Sequence, residues 1–217
     1  MKTKALLLDI DFTIYDVIKA KQLFLNELSK KLKINKKTIE KTTEDSYKTL
    51  KKQEGYFNPL NYVEILSNKL NVKDKDLIRS VLWSSKKFDN CLFKDSFYFI
   101  KSIYKTIKIV PFSQGDYKFQ QRKLLSFNRY INKKNIFIFK NKLENIRELV
   151  TNIKSDKLFI LDDSPEVINK AKAINKEIIT ILIKRKNYNK NYDYSKNVLA
   201  DYKVTNLISA AKIIQSK

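Results

Sequence analysis

Asp9 and Asp11 stand two residues apart at the end of an apolar run, Leu6-Leu7-Leu8, and Thr13 follows at the same spacing. On an extended backbone, residues i and i+2 point to one side, so the two carboxylates are expected to project together from a strand end. Carboxylates that close repel, and one pKa rises unless a cation lies between them. A divalent metal would explain the pair, as would a task needing one charged and one protonated carboxylate. A plain strand-to-turn junction with one aspartate capping a helix uses the same residue types. The choice depends on what the other strand ends carry.

Three further segments bring reactive groups. Ser113-Gln114-Gly115-Asp116 follows an apolar stretch, and the Ser113 hydroxyl with the Gln114 and Gly115 N–H groups could hold phosphate oxygens. Lys140 and Lys142 follow the apolar run Ile136 to Phe139, and either could meet an anion. Asp162-Asp163-Ser164 closes Leu158 to Leu161; adjacent carboxylates there either cap a helix or hold a cation.

The elements that must position these groups are legible in the periodicity. Residues 16 to 89 read as helical throughout: Val17, Leu23, Phe24, Leu28 and Leu32 recur at helical spacing, as do Leu60, Val63, Leu66 and Leu70. Thr38 to Lys52 is expected to bury Ile39, Tyr47 and Leu50, and Asp74 to Lys87 to form one helix. From about residue 94 the pattern alternates. A helix carries Phe97, Ile100 and Ile103; strands are expected at Ile107 to Phe112, Ile136 to Phe139, Leu158 to Leu161, Ile178 to Ile183 and Val198 to Tyr202. Helices are expected at Tyr117 to Tyr130, Leu143 to Ile153, from Ser164-Pro165, and at Val204 to Ile214. Lys184 to Lys196 reads as a solvated loop. Alternating strands and helices imply a doubly wound parallel sheet, an α/β architecture that binds ligands beyond the carboxyl ends of its strands.

Composition removes several chemistries. The chain has no histidine and one cysteine, Cys91, so neither a Ser-His-Asp triad nor an imidazole zinc site can form. Any general acid or base is a carboxylate, lysine or tyrosine. One thiol suits a reducing compartment, and Asp9 stops the first apolar run too early for a secretory signal. A cytoplasmic protein without a membrane segment is expected. The net charge of +22 invites a polyanion partner. Yet only five of the 45 basic residues are arginine (Arg79, Arg122, Arg129, Arg147 and Arg185), the side chain that phosphate readout favours.

The order Asp9-x-Asp11-x-Thr13, Ser113, Lys140 or Lys142, and Asp162-Asp163 resembles the haloacid dehalogenase superfamily in its phosphatase branch. Ser113-Gln114-Gly115-Asp116 with Gln120 or Gln121 and Lys123-Leu124 is similar to the segment after the second motif, and Asp163-Ser164-Pro165-Glu166 to the fourth-motif helix. The resemblance implies a Rossmann-like core from residues 1-15 and 90-217 with a helical cap domain at 16-89. It implies Asp9 as nucleophile, Asp11 as general acid and base, and Thr13, Ser113 and the lysine as phosphate-binding groups. It implies Mg²⁺ held by Asp9, the Asp11 backbone carbonyl, and Asp162 or Asp163. Phe12 departs from the pattern, standing where a small or polar residue is common.

The expected function is Mg²⁺-dependent hydrolysis of a small phosphate monoester. Similar dehalogenases and phosphonatases lack a carboxylate at the Asp11 position; a phosphomutase would use the same two aspartates. The alternatives are a phosphatase acting on nucleotides or nucleic-acid ends, and a binding module on the same fold. The turn Gly55 to Asn61, with Tyr56 and Phe57, is expected to face the substrate.

Overall fold

A six-stranded parallel sheet organises the chain in the computed structural model, which describes residues 3–186 and 198–217. The strands are β1 (Lys4–Leu8), β2 (Lys108–Gln114), β3 (Phe137–Phe139), β4 (Lys157–Asp162), β5 (Ile179–Ile183) and β6 (Tyr202–Val204), in the spatial order β3-β2-β1-β4-β5-β6. The order reverses beside β1, between β2 and β4. That crevice is where a doubly wound sheet binds its ligand.

Strand alternation feeds two cores. Leu6 and Leu8 of β1 pack on one face with Phe159, Leu161, Ile181 and Ile183, whereas Leu7 packs on the other with Val110, Phe112, Ile160 and Leu182. The first face is covered by α6 (Ser96–Ile103) and α10 (Leu207–Ser216), the second by α8 (Lys142–Asn152) and α9 (Pro165–Ile174). Both faces are buried, which is why β1 is a continuous apolar run. Pro111 sits where β2 passes from pairing with β1 (Lys108 to Pro111) to pairing with β3 (Phe112 to Gln114), so it ends one ladder before the next begins.

Between β1 and β2 lie α1 (Val17–Leu32), α2 (Lys36–Glu54), α3 (Pro59–Leu70), α4 (Lys75–Leu82) and α5 (Ser85–Asn90). The first four share their own core, built on Phe24, Leu25, Leu28, Ile39, Leu50, Tyr62, Val63, Leu66, Ile78 and Val81. Capping sets their limits: Asp16, Asn35, Asn58 and Asp74 accept N–H bonds at the four N-termini. Among the described residues no helix is long and apolar enough to cross a membrane.

Four expectations from the sequence are corrected. Asp74 to Lys87 is two helices, because Ser84 at ψ 120° leaves the helical region before α5. The helix expected over Tyr117 to Tyr130 is α7 (Tyr117–Arg122) followed by a short 3₁₀ turn, Leu125–Phe127. There the N–H groups of Lys123, Leu124 and Phe127 bond three residues back, tightening the chain. The last strand is Tyr202–Val204, not Val198 to Tyr202, because the Asp201 side chain takes the Thr180 N–H at 2.7 Å in place of a ladder bond. Tyr47 is 45 % exposed, since α2 buries the neighbouring stripe of Ile39, Thr43, Ser46 and Leu50. Most of the loop expected at Lys184 to Lys196 lies outside the described residues.

Candidate active site

The strand ends bring Asp9, Asp162, Asp163 and Lys142 together. β1 extends its ladder one residue past Leu8, with the Asp9 N–H donating to the Leu161 carbonyl at 3.0 Å. This fixes Asp9, 4 % exposed, beside the fully buried Asp162 at the end of β4. Lys142 is the first residue of α8, where the Asn141 side chain caps by accepting the Leu143 and Glu144 N–H groups. From that position its Nζ, 4.3 Å from the centre of the Phe112 ring, donates to Asp9 Oδ1 and, at 2.6 Å, to Asp162 Oδ2. The other Asp162 oxygen accepts the Ser164 N–H at 2.9 Å. Ser164 caps α9 by accepting the Val167 N–H, so neither Asp162 nor Asp163 is there as a helix cap.

Three carboxylates are gathered around one ammonium, all largely shielded from water. Burial pushes the Asp9 carboxyl up to about 7; Lys142 opposes the rise, while Asp162 and Asp11 add to it. Burial, with Asp9 and Asp162 nearby, also holds Asp163 well above the carboxylate range. For Lys142, burial lowers the pKa, but Asp162 and Asp9 outweigh it and keep the ammonium charged. Asp9 Oδ2 is buried without a hydrogen-bond partner, and one oxygen each from Asp9, Asp162 and Asp163 lies within 4.8 Å of the others. A hard divalent cation fits that donor set and would use the idle Asp9 oxygen.

Asp11 does not join the group. Past Asp9 the chain leaves the ladder and turns, so that the Ile14 and Tyr15 N–H groups both donate to the Ile10 carbonyl. Phe12 takes φ 60° within this turn. The Asp11 carboxylate has its own partners: Lys123 Nζ donates to one oxygen at 2.5 Å and Gln120 Nε2 to the other at 2.9 Å. Thr13 is fully buried, and its hydroxyl has no partner. Ser113 is buried near the end of β2, and Gln114 Nε2 donates to the Gly55 carbonyl at 3.3 Å.

Two expectations fail here. The Gly115 N–H is not available to a ligand, because it donates to the Phe139 carbonyl at 2.9 Å. Lys140 is exposed, with Nζ 5.7 Å from the centre of the Tyr56 ring, and takes no part in the carboxylate cluster. Lys142 is the lysine that reaches the carboxylates. The turn after α2 does approach the strand ends, through Gly55 on Gln114 and Phe57 against Phe119 at 5.3 Å. Tyr47 lies beside the same turn, its ring 6.2 Å from that of Phe57.

One support escaped sequence reading altogether. Arg185, 7 % exposed just after β5, forks onto both Asp95 oxygens at 2.8 and 2.9 Å and donates to the Thr13 carbonyl at 2.7 Å. Asp95 also accepts the Leu207 N–H at 2.8 Å, tying the Thr13 turn to α10. The available signal was an arginine at a strand end in a chain that uses lysine almost everywhere else.

No family model and no curated protein matches the sequence. Solved structures match along its full length. A haloacid dehalogenase-like hydrolase from Burkholderia xenovorans LB400 is 14% identical with a TM-score of 0.81, covering 100% of this chain and 98% of that one. The HAD-hydrolase YfnB from Bacillus subtilis, bound to magnesium, is 17% identical with a TM-score of 0.67 and 99% coverage of both chains. The L-2-haloacid dehalogenase from Xanthobacter autotrophicus is 12% identical with a TM-score of 0.62, again covering 99% of both. From end to end, the chain has the haloacid dehalogenase-like fold.

Proposed function

We propose that this protein is a magnesium-dependent phosphohydrolase that cleaves a small phosphate monoester through an aspartyl-phosphate on Asp9. The observation that carries this reading is the second carboxylate, Asp11, whose side chain is 29% exposed while Asp9 Oδ2 stays buried and idle. An alkoxide leaving group needs a proton donor, whereas halide departure does not. A carboxylate at this place therefore supports phosphate-ester cleavage over dehalogenation.

The chemistry follows from the positions. Asp9 attacks phosphorus; as the new O–P bond forms, the ester P–O bond breaks and Asp11 passes its proton to the departing oxygen. Asp11 then takes a proton from water, whose oxygen attacks the phosphorus and releases phosphate and free Asp9. Thr13, Ser113 and Lys142 hold the phosphoryl oxygens. Asp9, Asp162 and Asp163 would hold Mg²⁺, which supplies the positive charge that lets a phosphate approach these carboxylates. The helical block 16–89 acts as a cap, with the Gly55 to Asn61 turn and Tyr47 facing the substrate.

Purified protein with Mg²⁺ should release phosphate from a panel of monoesters, and chelation or Asp9→Asn should stop it. Halide release from a 2-haloacid without phosphate release would overturn the reading. The +22 charge favours a second one, a nucleotide or nucleic-acid-end substrate. Apparent affinity for an oligonucleotide end would then fall steeply with salt, and affinity for a small ester would not.

A further inference from the structure

Lys123 is an unusual lysine, because it is 5 % exposed in a chain whose lysines otherwise lie mainly on the surface. Burying an ammonium is costly unless it is paired, and the acidic partner the structure gives Lys123 is Asp11, at 2.5 Å. Aromatic faces complete its surroundings, with Nζ 4.9 Å from the centre of the Tyr15 ring and 5.3 Å from that of Phe119. Gln120, one helical turn earlier, grips the opposite Asp11 oxygen and also donates to the Gln114 carbonyl at 2.9 Å. Gly115 makes room for this: it has φ 144°, and a Cβ there would lie 3.0 Å from Gln120 Nε2.

We propose that Lys123 and Gln120 are positioning residues that fix both oxygens of Asp11, so that its carboxyl is presented to the leaving group rather than folded onto the Asp9 cluster. The inference rests on the phosphohydrolase reading above and goes beyond it by assigning residues that touch neither substrate nor metal. The step they serve is proton delivery to the ester oxygen as its bond to phosphorus breaks and the bond from Asp9 forms: the Asp11 carboxylate relays a proton from the Lys123 ammonium paired with it at 2.5 Å, and hands one back when it deprotonates the attacking water. Phe119 links the clamp to the helical block, since its ring meets Phe57 at 5.3 Å and Trp83 at 5.2 Å.

The test is leaving-group dependence. An aryl phosphate such as p-nitrophenyl phosphate departs as a stabilised anion and needs little help from an acid; an alkyl phosphate such as glycerol phosphate needs that proton. The kcat/KM for both substrates is measured for wild type, Lys123→Met, Gln120→Met and Gly115→Ala, with Mg²⁺ present. The ratio of the two values cancels any loss of folded protein, so a partly unfolded variant still reports. The expected result is an alkyl-to-aryl ratio reduced about tenfold or more in Lys123→Met, out of the roughly 10²- to 10⁴-fold that general acid catalysis supplies. Smaller reductions of the same sign are expected in Gln120→Met and Gly115→Ala. Equal loss on both substrates in all three variants overturns the clamp while leaving the phosphohydrolase reading intact. A wild-type protein that hydrolyses neither ester overturns both.

Discussion

Lys142 Nζ stands 2.6 Å from Asp162 Oδ2, joining the start of α8 to the end of β4 across the sheet's ligand crevice. The same ammonium bonds Asp9, so removing it leaves Asp9, Asp162 and Asp163 facing one another without a counter-charge. Lys142→Met is expected to lower metal-free stability by about 3–5 kcal/mol, the usual cost of orphaning a buried charge. Mg²⁺ should restore more stability to the variant than it adds to wild type. Thermal melts of both proteins with and without Mg²⁺ check this, and an equal magnesium effect in the two would refute it.

The raised Asp9 pKa has a definite sign in stability. An unfolded aspartate releases its proton near 3.8, while the folded one holds it to about 7, chiefly because it is buried. Between those values the native state binds more protons than the unfolded state, so this group makes stability fall as pH rises. The slope is at most about 1.4 kcal/mol per pH unit, and it flattens above about 7. Asp9→Asn removes the contribution. The stability of Asp9→Asn relative to metal-free wild type should therefore grow from about pH 4 to about pH 7 and then level off. Denaturant titrations across that range measure it; a constant difference would show that Asp9 is ionised throughout.

The strand-end chemistry was legible because alternation and short apolar runs locate strands, and a doubly wound sheet places its ligands at their carboxyl ends. That reasoning reached Asp9, Asp162 and Asp163, which the fold gathers. It could not choose between Lys140 and Lys142, although Asn141 followed by Glu144 is a helix-start signature that makes Lys142 the first helical residue. Reading that cap would have turned the right lysine toward the sheet. The pairing of Asp11 lies beyond local pattern, because its partners Gln120 and Lys123 are 109 and 112 residues away in sequence. Arg185 was hidden for the same reason: its partners Thr13 and Asp95 are brought to it only by the finished sheet.

Phe12 occupies φ 60°, a region that costs an ordinary side chain roughly 1–2 kcal/mol and a β-branched one more. Backbone strain therefore competes with the apolar contact of a half-buried ring. Phe12→Val is expected to be less stable than Phe12→Gly by about 1 kcal/mol, although valine buries more apolar surface. Denaturant midpoints of the two variants decide the matter. Equal or reversed stabilities would mean that ring burial, rather than turn geometry, governs the position.

Arg185 supports the turn that carries Thr13, and its geometry makes the substitution by lysine informative. The guanidinium spends two bonds on Asp95 and one on the Thr13 carbonyl, while Asp95 spends another on the Leu207 N–H. Lysine keeps the charge but lacks the planar fork, so it cannot bridge Asp95 and Thr13 in the same way. Arg185→Lys is expected to lose about 1–3 kcal/mol of stability, and Arg185→Met about 3–5 kcal/mol because Asp95 is left without its counter-charge. Asp95→Asn in the Arg185→Met background should recover part of the loss, since the orphaned carboxylate is then gone. If the double variant is as unstable as the sum of the singles, the pair acts independently and the tether between β5, the Thr13 turn and α10 is not a coupled unit.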